Sequence, residues 1–506
     1  MRRKFSIILI SLFCTFCATI SYAQINELPR CTPEEQGVPS KALITLFDSL
    51  VNMPGTDIHS VIVMRHGKVI GEIYPTPFAP QYAHTQYSSS KTLVSMAVGI
   101  AVDQNRLRIT DRVAAFFPEL LPKEISPELA SITVRDLLTM TSGIKPDWGM
   151  RAKCTNWVET FLSKPVVNKP GETFAYDSMV TYMLAAIVQK VTGKTLLEYL
   201  KENLFSHMNI TQVNWEISPE GINTGGWGLH IQSESLAKVG QMWLDGGVWN
   251  GKQLISKEWI EQMSKKQANG GDYGYGFQTW QCAYQTAVRA DGALGQYVIV
   301  IPKQDVVIVL TEASFTNGKP QRGLIWNGLM KAIEQAEGTA LVAGKDYQEL
   351  AEKQKSYQLP VVDGKKDGAG LKKIIGKKIE FTKNKFGFKE VTFNKGVNSL
   401  DMVITKTDGS TYTQPLGYKN WLTGEIAGYP PYSINPIGWE KGLEGPFYAA
   451  GSYGVTKEGL KVKIHYVNWV TALDILVMPD KEGKTAKIEI RTNYSKTGVT
   501  KIDGTL

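Results

Sequence analysis

Hydrophobic and polar positions change their spacing twice along this chain, and the changes divide it. In residues 60–74 the run Val61-Ile62-Val63-Met64 is followed by Arg65-His66-Gly67-Lys68 and then Val69-Ile70, which predicts two strands around a turn at His66-Gly67. From Ser88 to about Trp259 the spacing becomes helical. Residues 93–102 are apolar almost all round, the mark of a buried helix, and further apolar helices are predicted at 136–140 and 179–191. Strand patterns return at 297–302 and 306–311, joined at Lys303-Gln304-Asp305, and a helix at 324–336 closes the unit. Strands at both ends with helices between predict an α/β (α+β) domain in which one antiparallel sheet, assembled from the two ends, packs against helices and a helical subdomain.

After Gly338 the texture alters again. A polar stretch at 344–355 and a lysine- and glycine-rich stretch from Gly364 lead into short alternating segments such as Ile379-Glu380-Phe381, Lys461-Val462-Lys463-Ile464 and Lys487-Ile488-Glu489-Ile490. The pattern predicts a second, all-β domain, sandwich or barrel. The length of 506 residues exceeds one ordinary core and agrees with this division. The boundaries read as a leader at 1–23, a first domain at 24–340, a linker at 341–370 and the β domain at 371–506. The aromatics Trp421, Tyr429, Tyr432, Trp439, Phe447 and Tyr448 of the β domain are expected mainly as core, with a ligand groove as the alternative.

Composition narrows the function. Arg2, Arg3 and Lys4, an apolar run from Phe5 to Ile20 and the small-residue site Ser21-Tyr22-Ala23 read as a cleaved secretory signal, so a periplasmic or secreted protein is expected. No later segment is long and apolar enough to span a bilayer. Without those three basic residues the net charge of +8 falls to +5, with both signs interspersed, so nucleic acid is not an expected partner. Beyond the leader only Cys31, Cys154 and Cys282 remain, which allows one disulfide at most. The six histidines show no metal-ligand spacing, and neither a metal nor another cofactor is expected.

The candidate chemistry lies in a serine followed three residues later by a lysine. Such a pair can share a hydrogen bond only on a helix, where residues three apart are neighbours. Three tetrapeptides fit. Ser142-Gly143-Ile144-Lys145 is removed by Gly143 and Pro146, which read as helix end and loop. Ser235-Leu236-Ala237-Lys238 starts an amphipathic helix at 235–244, with Ser233 as N-cap and Lys238 expected to face solvent. Ser88-Ser89-Ser90-Lys91 opens the buried helix instead. There, partial burial and the helix dipole favour a neutral amine, and a neutral amine can take a proton from serine.

A serine-lysine pair also needs a group that passes a proton to the leaving atom and an oxyanion hole. Tyr176 follows the turn Lys169-Pro170-Gly171 and precedes an apolar helix, which can aim its phenol into a cleft. The glycine-bearing run Ala290-Asp291-Gly292-Ala293-Leu294-Gly295-Gln296 enters a strand, where backbone N–H groups can approach a substrate closely. With these pieces in this order the chain resembles the penicillin-recognising serine hydrolases: class C β-lactamases, D-Ala-D-Ala carboxypeptidases, their esterase relatives and the 6-aminohexanoate-dimer hydrolases. Supporting segments are Tyr87-Ser88-Ser89-Ser90-Lys91, Asp136-Leu137-Leu138-Thr139-Met140-Thr141-Ser142-Gly143, Phe174-Ala175-Tyr176-Asp177-Ser178, Tyr273-Gly274-Tyr275-Gly276-Phe277 and Gly292-Ala293-Leu294-Gly295-Gln296-Tyr297. Together they cover residues 35–335; the β domain lies outside the resemblance.

The resemblance implies a β-lactamase/transpeptidase-like fold, with Ser88 as nucleophile, Lys91 as its base and Tyr176 as proton shuttle. It further implies an oxyanion hole from the backbone N–H of Ser88 and Ala293, and substrate contacts at Trp148, Asp291 and Gly292. Two departures stand out. The motif that starts at Tyr176 ends in Ser178 where the β-lactamases carry asparagine or an equivalent, and their Lys-Thr-Gly motif is missing. Asp291 near that place predicts repulsion of an anionic substrate group, so a small ester or amide is the expected substrate rather than a penicillin. The alternatives are a cell-wall D-Ala-D-Ala carboxypeptidase or peptidase whose β domain holds peptidoglycan or glycan, and a catalytically silent ligand-binding relative.

Overall fold

The computed structural model describes residues 28–316, 318–431, 441–493 and 498–506. The leader expected at 1–23, and Tyr432 and Trp439, lie outside the described residues. Six strands form the first domain's sheet: β1 (Thr56–Arg65), β2 (Lys68–Ile73), β3 (Trp280–Gln281), β4 (Val288–Gly292), β5 (Gln296–Ile301) and β6 (Val306–Ser314). Their order is β2-β1-β6-β5-β4-β3, antiparallel throughout. The two ends of the domain therefore meet in mid-sheet, with Val61 of β1 opposite Leu310 of β6.

The sheet is covered on both faces, and the period of two along each strand divides its side chains between two cores. Ile62, Met64, Val298, Val300, Val307 and Val309 join the core of the helical subdomain. Their neighbours Val61, Val63, Tyr297, Ile299, Ile308 and Leu310 pack on the opposite side with α1 (Ser40–Val51). The subdomain is built around α2 (Ser90–Asp103) and α3 (Ser178–Thr192). Ser90 through Ala101 are all buried, as the all-round apolar pattern predicts. A Cβ on Gly99 would stand 2.4 Å from the Trp259 indole, so that close approach requires glycine.

Helix α4 (Ser233–Leu244) begins two residues earlier than the sequence suggests, with Gln232 at its N-cap position. It packs against the sheet, and Lys238 is buried rather than solvent-facing, its Nζ donating to the Met208 carbonyl at 3.1 Å. The long side chain can cross an apolar surface because its tip finds an acceptor at the far side. The closing helix, α5, runs through Lys319–Leu324, a π-helical segment Ile325–Met330 and a last turn Lys331–Gln335.

The stretch read as a linker holds a docked helix, α6 (Lys345–Ser356). Leu350 is fully buried beside α1, Lys353 pairs with Asp48 at 2.8 Å, and Gln354 accepts from the Glu72 backbone. Burying one leucine stabilises by about 2 kcal/mol, which explains why a largely polar helix stays on the first domain. A polar helix with one apolar face escaped the reading of composition.

The second domain is a barrel. Its strands are β7 (Lys378–Phe381), β8 (Phe388–Lys395), β9 (Leu400–Lys406), β10 (Thr411–Tyr418), β11 (Leu422–Ile426), β12 (Phe447–Val455), β13 (Leu460–Tyr466), β14 (Ala472–Pro479), β15 (Thr485–Thr492) and β16 (Val499–Thr505). Neighbours pair antiparallel from β10 back to β7, on to β16 and down to β12. A parallel pairing of β10 with β12, Leu416 opposite Gly451 and Tyr418 opposite Tyr453, closes the ring, and β11 attaches outside it. Closure removes the unpaired edges that a long antiparallel sheet would expose. Val462 and Ile464 point inward while Lys461 and Lys463 alternate with them, as do Ile488 and Ile490 with Lys487 and Glu489. Trp421 is buried as core, with its Nε1 donating to the Leu359 carbonyl, whereas Tyr429, Phe447 and Tyr448 are half-buried.

Candidate active site

Ser88 lies in a 3-10 turn, Tyr87–Ser89, that leads directly into α2, so Lys91 falls one turn on, inside the first turn of the buried helix. Serines surround the pair and fix it locally. Ser90 Oγ donates to the Tyr87 carbonyl at 2.5 Å, and Ser89 Oγ donates to the Gln296 carbonyl at 2.7 Å, tying the turn to β5. Ser88 itself is half-exposed at the floor of a cavity of about 670 Å³.

The Lys91 amine is 1% exposed. It stands 3.1 Å from Ser88 Oγ, 2.9 Å from Ser178 Oγ and 2.5 Å from the Gly226 carbonyl. Burial lowers its pKa to about 7, and the nearby Asp177 carboxylate opposes this without reversing it. An amine in that range is neutral in a large fraction of molecules at neutral pH. Asp177 is buried, caps α3 by accepting from Met179 N at 2.8 Å, and has its own pKa raised by the same desolvation.

Ser178 resolves one departure from the expected pattern. It opens α3 and sets its hydroxyl beside the lysine amine. Tyr176, two residues earlier, is half-buried, lines the same cavity as Ser88 and has its ring centroid 4.9 Å from Lys91 Nζ. Burial raises its pKa, so the phenol keeps its proton at neutral pH.

Across the cavity from these groups runs the end of β4. Ala293 and Asp291 line the cavity together with Ser88 and Tyr176. Gly292 does not line it. This glycine is buried where a Cβ would lie 2.2 Å from the Gln86 carbonyl, so its bare backbone lets β4 close on the nucleophile turn. Trp148 is also absent from the lining. It sits on its own 3-10 turn, Trp148–Ala152, edge-on to Trp227 at 4.8 Å and beneath the Arg151 guanidinium at 3.4 Å, and these contacts hold it within the subdomain. Cys282 lines the cavity, and Cys31, Cys154 and Cys282 are all free thiols.

The charge expected here is corrected as well. Asp291 is engaged by Arg289, whose Nε donates to its carboxylate at 2.8 Å. Arg322 and Lys319 reach the same cavity from α5, and Asp272 stands 3.5 Å from Lys319. With Arg289, Arg322 and Lys319 against Asp272 and Asp291, the wall carries a small cationic excess, and net repulsion of an anion does not follow. Trp280 and Trp326 supply apolar surface beside the charges. Sequence reading missed the two arginines because no motif marks them. Arg289 alternates with buried residues along β4, and only the packing of α5 across the sheet end brings Arg322 to the same cavity.

The Beta-lactamase family profile matches residues 44–330, ending before the barrel. A 6-aminohexanoate-dimer hydrolase of Paenarthrobacter ureafaciens is 26% identical over 341 residues, which are 62% of this chain and 86% of the relative. Two solved structures share the fold. One, described provisionally as a 6-aminohexanoate-dimer hydrolase from Bacillus anthracis, has a TM-score of 0.52 at 19% identity and covers 61% of this chain and 88% of its own. The other, described provisionally as a beta-lactamase from Bacteroides dorei DSM 17855, has a TM-score of 0.52 at 17% identity and covers 59% of this chain and 100% of its own.

Proposed function

Because this chain belongs to the β-lactamase family, a family of serine hydrolases, we propose that it is an exported hydrolase that cleaves a small ester or amide through an acyl-enzyme on Ser88. The observation that carries this reading is the buried Lys91 amine, with a pKa of about 7, held between two hydroxyls and a carbonyl. A neutral amine has two N–H donors and one lone pair. The donors suit the Gly226 carbonyl and Ser178 Oγ, which leaves the lone pair for the Ser88 hydroxyl proton. Ser88 Oγ then attacks the substrate carbonyl as its proton passes to Lys91. The oxyanion forms toward the backbone N–H groups of Ser88 and Ala293. Tyr176, kept protonated by burial beside Ser88, gives its proton to the leaving alcohol or amine and is reprotonated from Lys91. Water takes the reverse route to release the acid.

Arg289 and Arg322 favour substrates that carry a carboxylate near the scissile bond. The 6-aminohexanoate dimer named for the Paenarthrobacter relative is an amide whose carboxylate lies a flexible alkyl chain away from the scissile bond, whereas a peptide C-terminus carries its carboxylate beside it. Amide substrates with an acidic end are therefore the class to test first, beside neutral nitrophenyl esters.

The test is intact-mass analysis of wild type and Ser88→Ala after exposure to a fluorophosphonate, alongside ester hydrolysis. One adduct and turnover in the wild type, with neither in the variant, is the expected result. Equal behaviour of the two proteins would overturn the assignment of Ser88.

A further inference from the structure

Both backbone segments proposed to supply the oxyanion hole bend through the left-handed region at a residue other than glycine. Tyr87, immediately before Ser88, has φ +44°, and Leu294, immediately after Ala293, has φ +63°. Bulky residues rarely hold this conformation unless their surroundings enforce it. In both cases the surroundings include the barrel. Tyr87 is buried in the same apolar cluster as the barrel core, Leu294 packs against that cluster, and so does Ala313 of β6.

A second connection runs through the turn between β13 and β14. The Asn468 carbonyl accepts from Thr85 N at 3.1 Å, and its Nδ2 donates to the Ala83 carbonyl at 2.9 Å. Its Oδ1 is held in turn by Tyr448 N at 2.9 Å. Trp469, 1% exposed within the barrel core, packs its ring 4.2 Å from that of His230, which pairs with Thr85 in a short sheet. The segment Ala83 to Gln86 is thus clamped between the barrel turn and the first domain, where Gln86 N donates to the Leu229 carbonyl. Ser88 follows two residues later. Among the described residues none beyond Trp326 lines the cavity, so the barrel reaches the reaction through its contacts with the Tyr87 and Leu294 turns and through this clamp.

We propose that the C-terminal barrel is a positioning module of the active site: Asn468 and Trp469, in one turn of the barrel, hold the backbone that presents Ser88. The proposal rests on Ser88 being the nucleophile. It gives the barrel a part in acylation rather than in holding a polymer.

The experiment uses the full-length protein and compares Trp469→Ala, Trp469→Phe and Asn468→Ala with Ile488→Ala, a barrel-core truncation on β15. Each is measured below its melting temperature for the rate of fluorophosphonate labelling of Ser88, and for kcat and KM on a nitrophenyl ester. Trp469→Ala and Asn468→Ala should lower labelling rate and kcat by about ten- to a hundredfold, the cost of a small misplacement of reacting groups, while KM stays within about threefold. Trp469→Phe should restore most of the rate, and Ile488→Ala should keep it despite a comparable loss of melting temperature. If Trp469→Ala does not fold, Asn468→Ala gives the same reading. Labelling of the folded clamp variants at the wild-type rate, or an equal loss in Ile488→Ala, would overturn the proposal. A wild type that takes no label would remove the assignment of Ser88 itself, and the proposal with it.

Discussion

Ser88-Lys91 and Ser235-Lys238 share one spacing, one helical context and two buried lysines, yet only one of them faces a cavity. Lys91 meets two hydroxyls and a carbonyl at the floor of the cleft. Lys238 is buried on its own helix and donates to the Met208 carbonyl. Burial of a serine-lysine pair is therefore not enough to make a site. The amine must also be offered a proton donor that opens onto space for a substrate.

The largest effect expected from that difference is in the lysines themselves. Lys91→Met should lower kcat/KM for a nitrophenyl ester by at least about a thousandfold, whereas Lys238→Met should leave it within about threefold. Comparable losses in both variants would break the distinction. Ser178→Ala removes one of the three partners of the active amine and should cost about ten- to a hundredfold in kcat, while Ser235→Ala should be silent.

The pH profile sharpens the comparison further. Below a pKa of about 7 Lys91 becomes an ammonium and cannot accept the Ser88 proton, so kcat/KM should fall about tenfold per pH unit on the acid side. Asp177 raises that pKa, so Asp177→Asn, which keeps a helix cap, should move the acid limb to lower pH. An unmoved limb would mean that another group controls it. A smaller effect is expected at the cavity wall. Arg322→Ala should raise KM about tenfold for substrates bearing a carboxylate and leave neutral esters unchanged. Smallest in activity is the cost of Lys238→Met in stability, about 1–3 kcal/mol in urea unfolding, because the Met208 carbonyl loses its donor.

The four histidines at the domain seam, His59, His84, His230 and His465, give an independent readout of that interface. All are buried, and desolvation depresses each below the ordinary value, to about 4 for His84 and about 3 for His230. Between those values and about 6.5 the unfolded chain binds more protons than the folded one. Stability should therefore fall as pH drops through that window, and urea midpoints at pH 7 and pH 5 would show it.

Much of the first domain was legible because its information is local. The strand patterns at 60–74, 297–302 and 306–311 and the all-round apolar run after Lys91 are local signals, and the observed strands and helix follow them. Ser88, Lys91 and Tyr176 stood out as motifs, whereas Ala293 came only from the family resemblance. The polar helix α6 was not, since one buried leucine in twelve residues leaves little trace in composition. Lys238, Trp148 and Gly292 were misplaced for a related reason: which side of an element meets a cavity depends on what packs there from elsewhere in the chain.

By itself, then, the sequence determined the elements, the division into two domains and the order of the reactive groups, because periodicity and motif spacing are properties of neighbouring residues. The tertiary structure decided which serine-lysine pair opens onto a cavity, that Ser178 completes the amine's contacts, that arginines from β4 and α5 offset Asp291, and that a barrel turn reaches the backbone before Ser88. Those outcomes depend on desolvation and on contacts between residues as far apart as Ala83 and Asn468, and no local pattern in the chain carries that information.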